Sequence, residues 1–354
     1  MLNTSYKKKM SGSSTISPKE RILRVLNKEK TDRPPVVCPG GMMNAAIVEI
    51  MNKTGHTLPE AHKDDRLMSE LSHDVYEYTG FENFGIPFCM TVEAEVLGSE
   101  INFGTLACEP KIEKEVFPSA SQIQYKAIDR MLKAGRIGAV IQAGYHLSKK
   151  YADVPVIGNL TGPISTAASI VEPMSFLKEL RKDRENAHKA IDYVTDFLIE
   201  YAKLMIDNGV DLISIGDPTA TGEILGPRMF EEYAVRYLNK LIAGIHSLNA
   251  PVIVHICGNM NTVKNHIPQI KSDAISTDAL VNLRLLKEEF PFLTTMGNLS
   301  TYLLELGTPE KVSSQAERLV SDGIDIISPA CGLSTSSSIE NIQALTRTVK
   351  ERSQ

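Results

Sequence analysis

A histidine and two cysteines have the spacing of metal ligands. His255 and Cys257 stand two positions apart at the end of the apolar run 252–256, so in a β-strand their side chains project to the same side. Cys331 follows a second apolar run, 74 residues after Cys257. One nitrogen and two sulfur ligands with a fourth position open are typical of a catalytic zinc ion. The alternative is that His255 and Cys257 are core residues with satisfied hydrogen bonds and Cys331 is a small residue in a tight turn.

Two aspartates follow other apolar runs and are candidate catalytic residues. Asp217 stands 114 positions before Cys331, the offset that also separates the similar segments 208–214 and 322–328. We therefore expect its carboxylate at the same site, where it can orient a zinc-bound histidine. Because a proline follows it, Asp217 can instead open a turn. Asp278 can provide an oxygen ligand to zinc or accept a proton from the substrate, and its alternative role is a helix N-cap.

Three further polar residues are candidates for cofactor contacts. Asn159 and Asn298 end two apolar runs, and Glu95 lies in the segment after another. Each side chain can face a bound ligand, and each can equally cap a turn.

Short apolar runs that alternate with longer helical segments must position these residues. Such alternation is typical of a parallel sheet and predicts a (β/α)8 TIM barrel, with a doubly wound open sheet as the alternative. In a closed barrel the carboxyl ends of the fifth and eighth strands approach each other across the mouth, which brings Cys331 towards His255 and Cys257. The eight runs are 35–38, 83–88, 154–159, 212–216, 252–256, 274–277, 293–296 and 324–328.

The chain is predicted to contain one catalytic domain after a short tail. Residues 1–16 are polar and rich in lysine and serine, which predicts a disordered tail. Ser17 and Glu20 form a capping box that predicts the start of the first helix. The barrel is then expected over 17–354, with an insertion around 85–151, where the connection is long for one unit.

Composition excludes several classes of function. The net charge is −5, from 38 basic and 43 acidic side chains mixed along the chain, which disfavours nucleic acid as a ligand. No run approaches the roughly 20 apolar residues of a membrane span. The five cysteines are odd in number and scattered, so we expect free thiols and a cytoplasmic location.

These motifs resemble those of a known family. His255-Ile-Cys-Gly-Asn259 together with Pro329-Ala-Cys-Gly332 resembles the H-x-C…C zinc signature of the methylcobamide:coenzyme M methyltransferases, which belong to the uroporphyrinogen decarboxylase superfamily of barrels. The resemblance covers nearly the whole chain after residue 17. Its other segments are Ile86-Pro-Phe-Cys-Met-Thr-Val92, the stretch from Glu95 to Thr105, Gly158-Asn-Leu-Thr-Gly-Pro163, Asp217-Pro218 and Met296-Gly-Asn-Leu-Ser300.

The resemblance implies zinc-dependent methyl transfer. A methylated corrinoid (methylcobamide), carried by a separate corrinoid protein because the chain has no D-x-H-x-x-G motif, would donate the methyl group. The implied acceptor is coenzyme M, held as a thiolate by zinc at His255, Cys257 and Cys331. Homocysteine or another small thiol is an alternative acceptor.

Two other functions are alternatives to methyl transfer. Decarboxylation of uroporphyrinogen is the second candidate function, although the arginine-rich substrate motif of the decarboxylases has no match in 33–43. A non-enzymatic zinc or corrinoid-binding module would need a closed site with four ligands, and no second cysteine lies near Cys331.

Overall fold

Parallel strands in chain order form the centre of the molecule. The computed structural model describes residues 16–352, so the predicted tail 1–16 lies outside the described residues except for Ile16. Seven strands pair in parallel in the order β1-β4-β5-β6-β7-β8-β9, and β2 and β3 form a separate antiparallel hairpin. The strands are β1 (Phe84–Ile86), β2 (Glu100–Asn102), β3 (Lys111–Lys114), β4 (Val156–Thr161), β5 (Leu212–Gly216), β6 (Val252–Ile256), β7 (Ala274–Thr277), β8 (Thr295–Leu299) and β9 (Ile326–Pro329).

The segment 35–38 closes the sheet into a barrel. On one side, the Val37 N–H donates to the Ile327 carbonyl and the Ile327 N–H donates to the Pro35 carbonyl, both at 2.9 Å. On the other side, the Glu82 N–H donates to the Val36 carbonyl at 2.9 Å. Consecutive prolines at 34 and 35 remove N–H donors, which explains why this first position pairs through a single bridge. Counting it as the first strand and β9 as the eighth confirms the predicted (β/α)8 barrel.

Helices surround the barrel, and the first begins where the capping box predicts. Ser17 Oγ accepts the Glu20 N–H at 3.1 Å. The α-helices are α1 (Pro18–Leu26), α2 (Val48–Thr54), α3 (Asp65–Thr79), α4 (Val92–Leu97), α5 (Ile128–Met131), α6 (Ile137–Lys150), α7 (Pro163–Ala168), α8 (Pro173–Lys182), α9 (Arg184–Asp207), α10 (Gly222–Met229), α11 (Arg236–His246), α12 (Leu283–Glu289), α13 (Thr301–Leu306), α14 (Pro309–Ser321) and α15 (Ile339–Glu351). Short 3-10 helices span Glu60–His62, Ala120–Gln122 and Asn261–Gln269, and a π-helical turn spans Phe230–Val235.

Carboxylates at the amino ends of the strands repeat with fourfold regularity. Each lies just before an even-numbered barrel strand and accepts the first backbone N–H of the preceding odd-numbered strand. The pairs are Glu82 with Val36 (3.0 Å), Asp211 with Val156 (2.9 Å), Asp273 with Val252 (2.7 Å) and Asp325 with Thr295 (2.8 Å). Asp211 and Asp325 belong to the two similar segments of the sequence, so that similarity corresponds to one hydrogen bond made at equivalent barrel positions.

The connection between β1 and β4 lies over one rim of the mouth, which we define as the end of the barrel where the strands reach their carboxyl termini. This connection contains α4, the hairpin of β2 and β3, and helices α5 and α6. Thr335 Oγ1 donates to the Ala107 carbonyl at 2.9 Å, so the hairpin contacts the loop that follows β9. Among residues 16–352, no helix has the length and apolar character that a membrane span requires.

Candidate metal and thiol site

His255 and Cys257 reach the mouth from β6, the fifth barrel strand. Every residue of β6 is buried, and its parallel register places His255 beside Ser276 of β7. The His255 Nδ1 atom lies 2.9 Å from Ser276 Oγ. The Nε2 atom is also buried but has no hydrogen-bond partner among the described residues. Half-buried Cys257 follows directly after the strand.

Cys331 joins these two residues from the eighth strand. It follows β9, and the loop is fixed by the Ala330 N–H, which donates to the Leu299 carbonyl at 2.8 Å. Its sulfur interacts with the Cys257 thiol and with the His255 ring. The interaction with Cys257 lowers the pKa of Cys331 to about 4, and the same interaction, followed by burial, raises the pKa of Cys257. The barrel therefore brings together the three residues that sequence spacing selects.

His255, Cys257 and Cys331 are close together but do not have the arrangement of metal ligands in this structure. Across residues 16–352, no group of three or more His, Cys, Asp or Glu side chains is arranged to hold a metal ion. The sulfurs of Cys257 and Cys331 interact with each other, and only the buried His255 Nε2 atom is left without a partner.

Asp278 lies beside this group. The residue follows β7 and is half-buried, and its negative charge contributes to the raised pKa of Cys257. Its Oδ1 atom also accepts the Leu280 N–H at 3.0 Å, so the carboxylate stabilises the turn after β7 as well. Asp278 is not the helix N-cap considered as its alternative role, because the next helix, α12, begins at Leu283 and has Asn282 as its N-cap.

The prediction that Asp217 faces the mouth was wrong. This residue is 0% exposed; its backbone N–H donates to the His255 carbonyl at 3.0 Å, but its carboxylate makes no bond to the His255 ring. Its carboxylate accepts the N–H of Ile164 at 3.1 Å, the N–H of Ser165 at 2.8 Å and the Ser165 hydroxyl at 2.6 Å. It therefore satisfies the amino-terminal donors of α7, and burial raises its pKa to about 6. Ser276, not Asp217, bonds to the histidine ring.

Asn159 and Asn298 connect backbone segments. Asn159 is 4% exposed, and its Nδ2 donates to the Pro39 carbonyl at 2.7 Å and the Ile86 carbonyl at 3.0 Å. Asn298 is 8% exposed, and its Nδ2 donates at 2.8 Å to the carbonyls of Asp278 and Val281. Both amide groups therefore use their donors inside the protein, which is the turn-stabilising alternative.

Glu95 lies on α4 and is paired with an arginine. Its Oε2 atom accepts the Nε–H of buried Arg136 at 2.6 Å. The guanidinium also donates to Thr91 Oγ1 at 2.8 Å and to Cys89 Sγ at 3.3 Å. Glu95 therefore forms an ion pair that orients Arg136, instead of the direct ligand contact that we expected.

Ser276, Glu109 and His62 are polar residues near the site that sequence spacing did not indicate. Glu109 lies at the end of the hairpin, where Oε1 accepts from Asn44 Nδ2 at 3.4 Å and its charge interacts with both Cys331 and His62. A strand register would have revealed Ser276, because it pairs directly with His255. No periodicity or motif marks the other two, since His62 ends a short 3-10 helix and Glu109 lies in the loop between β2 and β3.

Residues 17–352 match the family model of uroporphyrinogen decarboxylase (URO-D). The chain belongs to the uroporphyrinogen decarboxylase family. Within this family it is 33% identical over 336 residues to the methylcobamide:CoM methyltransferase MtbA of Methanosarcina acetivorans, with 94% of this chain and 98% of the relative covered. It is 30% identical to MtaA of Methanosarcina barkeri, with 94% and 97% covered.

A solved structure supports the same placement in the uroporphyrinogen decarboxylase family. A methyltransferase from Methanosarcina mazei superposes with a TM-score of 0.89 at 30% identity, covering 95% of this chain and 99% of that one. The chain is accordingly a member of the methylcobamide:CoM methyltransferase branch of the family. This agrees with the resemblance inferred from the His255, Cys257 and Cys331 motifs.

Proposed function

We propose that this protein transfers a methyl group from a methylated corrinoid to a thiol that is activated by zinc at His255, Cys257 and Cys331. The observation that carries the proposal is the buried Nε2 atom of His255, which has no hydrogen-bond partner among the described residues although the ring lies beside Cys331. The printed activity of the relatives, methyl transfer between methylcobamide and CoM, supplies the reaction.

The donor set fits a zinc ion. One imidazole nitrogen and two sulfurs are ligands that zinc prefers, and three protein ligands leave a fourth position for substrate. In the tautomer that we propose, Ser276 Oγ accepts the Nδ1–H of His255, and the lone pair on Nε2 is then free for a metal. Cysteine ligands lose their protons when they bind a metal, so metal binding would replace the present interaction between Cys257 and Cys331.

Thiol ionisation is the chemistry that this site needs. A free alkyl thiol with a pKa near 8.5 is only about 3% thiolate at pH 7. Zinc bound here would supply a fully ionised substrate sulfur, which is worth roughly 2 kcal/mol relative to the free thiol. Asp278, near Cys257, is the group that we assign to accept the proton from the incoming thiol.

The transfer itself is an in-line displacement. The substrate thiolate forms a sulfur–carbon bond to the methyl group of methyl-cob(III)amide while the cobalt–carbon bond breaks. The electron pair of that bond stays on cobalt and gives cob(I)amide, so the reaction balances without an external oxidant or reductant. A separate corrinoid protein would present the donor at the mouth, and coenzyme M is the acceptor that we propose first.

The structure disfavours uroporphyrinogen decarboxylation as the alternative. The arginines near the amino terminus that could hold substrate carboxylates include Arg21 and Arg33, and both are bound to buried Glu82 at 2.6–2.8 Å. Glu82 precedes the second barrel strand, so this network lies at the end of the barrel opposite to His255. These arginines therefore cannot line a pocket at the mouth.

An assay of methyl transfer tests the proposal. Zinc-loaded protein should demethylate methylcobalamin when coenzyme M is added, with loss of the methyl-cob(III)alamin spectrum and formation of methylated thiol. Cys331→Ala should abolish this activity, whereas Cys108→Ala, which removes an exposed thiol outside the site, should not. If only homocysteine or another thiol is methylated, the mechanism stands with a different acceptor. Decarboxylation of uroporphyrinogen without methylation of any thiol would refute the proposal.

A further inference from the structure

His62 is a buried histidine whose ring makes no hydrogen bond to the described part of the chain. It is 1% exposed, and neither Nδ1 nor Nε2 has a partner among residues 16–352. A neutral imidazole has one donor and one acceptor, so both of its polar groups are unsatisfied. Buried polar groups of this kind are rare because they cost stability, and a ligand that completes the missing bonds is one explanation.

The ring lies at the mouth of the barrel. The charges of Arg136, Glu109 and the adjacent Lys63 act on the ring. Arg136 donates to Cys89 and Thr91 in the loop after β1, which fixes it at the carboxyl end of the second barrel strand.

Glu109 links the surroundings of His62 to the metal donors. Its carboxylate interacts electrostatically with His62 and with Cys331, and Asn44 bonds to it at 3.4 Å. The residue is exposed, yet enough protein surrounds its carboxyl group for burial to raise its pKa. The charge of Glu109 therefore acts on both His62 and Cys331.

The electrostatic surroundings of His62 favour an anion. Burial and the positive charges of Arg136 and Lys63 lower the pKa of His62 to about 3, against the opposing effect of Glu109. The imidazole is therefore neutral at pH 7 and donates through one N–H without adding a buried charge. Arg136 uses three of its five N–H donors in bonds to Glu95, Cys89 and Thr91, which leaves two for a ligand.

We propose that His62 and Arg136 bind the anionic head group, a sulfonate or carboxylate, of the thiol substrate whose sulfur is activated beside Cys331. The inference rests on the proposed function, because it assumes that the sulfur end of the same molecule occupies the metal site. It assigns the selectivity for the acceptor to residues outside the metal donors. Glu109, the carboxylate between the two ends, would repel an anion and is the reason for including a cationic thiol in the test.

The test compares four thiols of similar length with methylcobalamin as donor. These are 2-mercaptoethanesulfonate, 3-mercaptopropionate, neutral 2-mercaptoethanol and cationic 2-mercaptoethylamine. The wild type should show the lowest KM for the two anionic thiols. His62→Ala should raise those two KM values by about tenfold to a hundredfold, as expected for a lost hydrogen bond to a charged group. The decrease in kcat/KM for 2-mercaptoethanol should be at least about tenfold smaller than the decrease for the two anionic thiols. His62→Gln, which keeps an N–H donor, should retain part of the selectivity.

Several results would overturn the inference. A wild type that prefers 2-mercaptoethylamine would show that Glu109, rather than Arg136 and Lys63, sets the selectivity. An equal loss for all four thiols in His62→Ala would indicate a purely structural role. Binding of ethanesulfonate, followed by ligand-observed NMR, separates this inference from the methyl-transfer proposal because ethanesulfonate has no thiol. It should bind the wild type and not His62→Ala even if no thiol is methylated, and absence of binding to the wild type would refute the anion site by itself.

Discussion

Ser276→Ala removes the one hydrogen bond that the described residues give to the His255 ring. The two side chains are 0% and 1% exposed, and their 2.9 Å contact fixes the ring beside Cys331. Without the hydroxyl, the Nδ1–H has no acceptor, and the ring can rotate or adopt the other tautomer. We therefore expect the variant to bind zinc more weakly while the three donors remain in place.

The size of this effect follows from the burial of the pair. A buried donor left unsatisfied costs about 1–3 kcal/mol, and loss of a residue that orients a ligating histidine typically lowers metal affinity about tenfold to a hundredfold. These two ranges agree, since tenfold corresponds to about 1.4 kcal/mol. Because the pair is fully buried, water cannot replace Ser276 as the acceptor. We therefore expect a decrease in zinc affinity in the upper half of the tenfold to hundredfold range.

Competition with a chromogenic zinc chelator measures this affinity directly. Thr277→Val is the matched control, because Thr277 is the next residue of β7, is 0% exposed and has a hydroxyl without a partner among the described residues. It should bind zinc as the wild type does. Zinc affinity of Ser276→Ala within about twofold of the wild type, or an equal loss in Thr277→Val, would refute the assigned role of the hydrogen bond.

Two further predictions concern residues that stabilise the barrel. Burial raises the pKa of Asp217 to about 6. The contribution of this carboxyl group to the free energy of unfolding is therefore greatest below about pH 4, and it falls by about 3 kcal/mol as the pH rises through 6. Asp217→Asn should remove this pH dependence, and parallel unfolding profiles of variant and wild type between pH 4 and 7 would contradict the assignment. Glu82→Gln should lower the free energy of unfolding by about 3–5 kcal/mol, because it leaves Arg21 and Arg33 with weaker buried partners. Zinc content should not change, and loss of zinc from folded Glu82→Gln would show that the two ends of the barrel are coupled.

The strands were predictable where they are buried on both faces. The bounds of β5, β6 and β7 agree with the predicted runs because parallel strands covered by helices are continuous apolar segments. The run 293–296 was placed too early, since β8 begins at Thr295, where the Asp325 carboxylate accepts the first N–H. The first run, 35–38, is reduced to one bridge because its prolines cannot donate.

The metal donors were predictable from local geometry, and their surroundings were not. Alternation along one strand is enough to place His255 and Cys257 on one side, and barrel closure is enough to bring Cys331 to them. The orientation of Asp217 depends on where α7 begins on a neighbouring strand, which the sequence around Asp217 does not specify. His62 ends a three-residue 3-10 helix, which is too short to show a periodic pattern, so only the tertiary structure reveals its position.

X-ray absorption at the zinc K-edge tests the central claim most directly, because it counts the sulfur atoms bound to zinc. We predict one zinc per chain with two sulfur ligands from Cys257 and Cys331 and one nitrogen ligand from His255. Addition of coenzyme M should raise the sulfur count from two to three, since the substrate thiol takes the open position. Protein that binds no zinc, or a sulfur count that stays at two when a thiol that is methylated in the assay is added, would contradict thiol activation at this site.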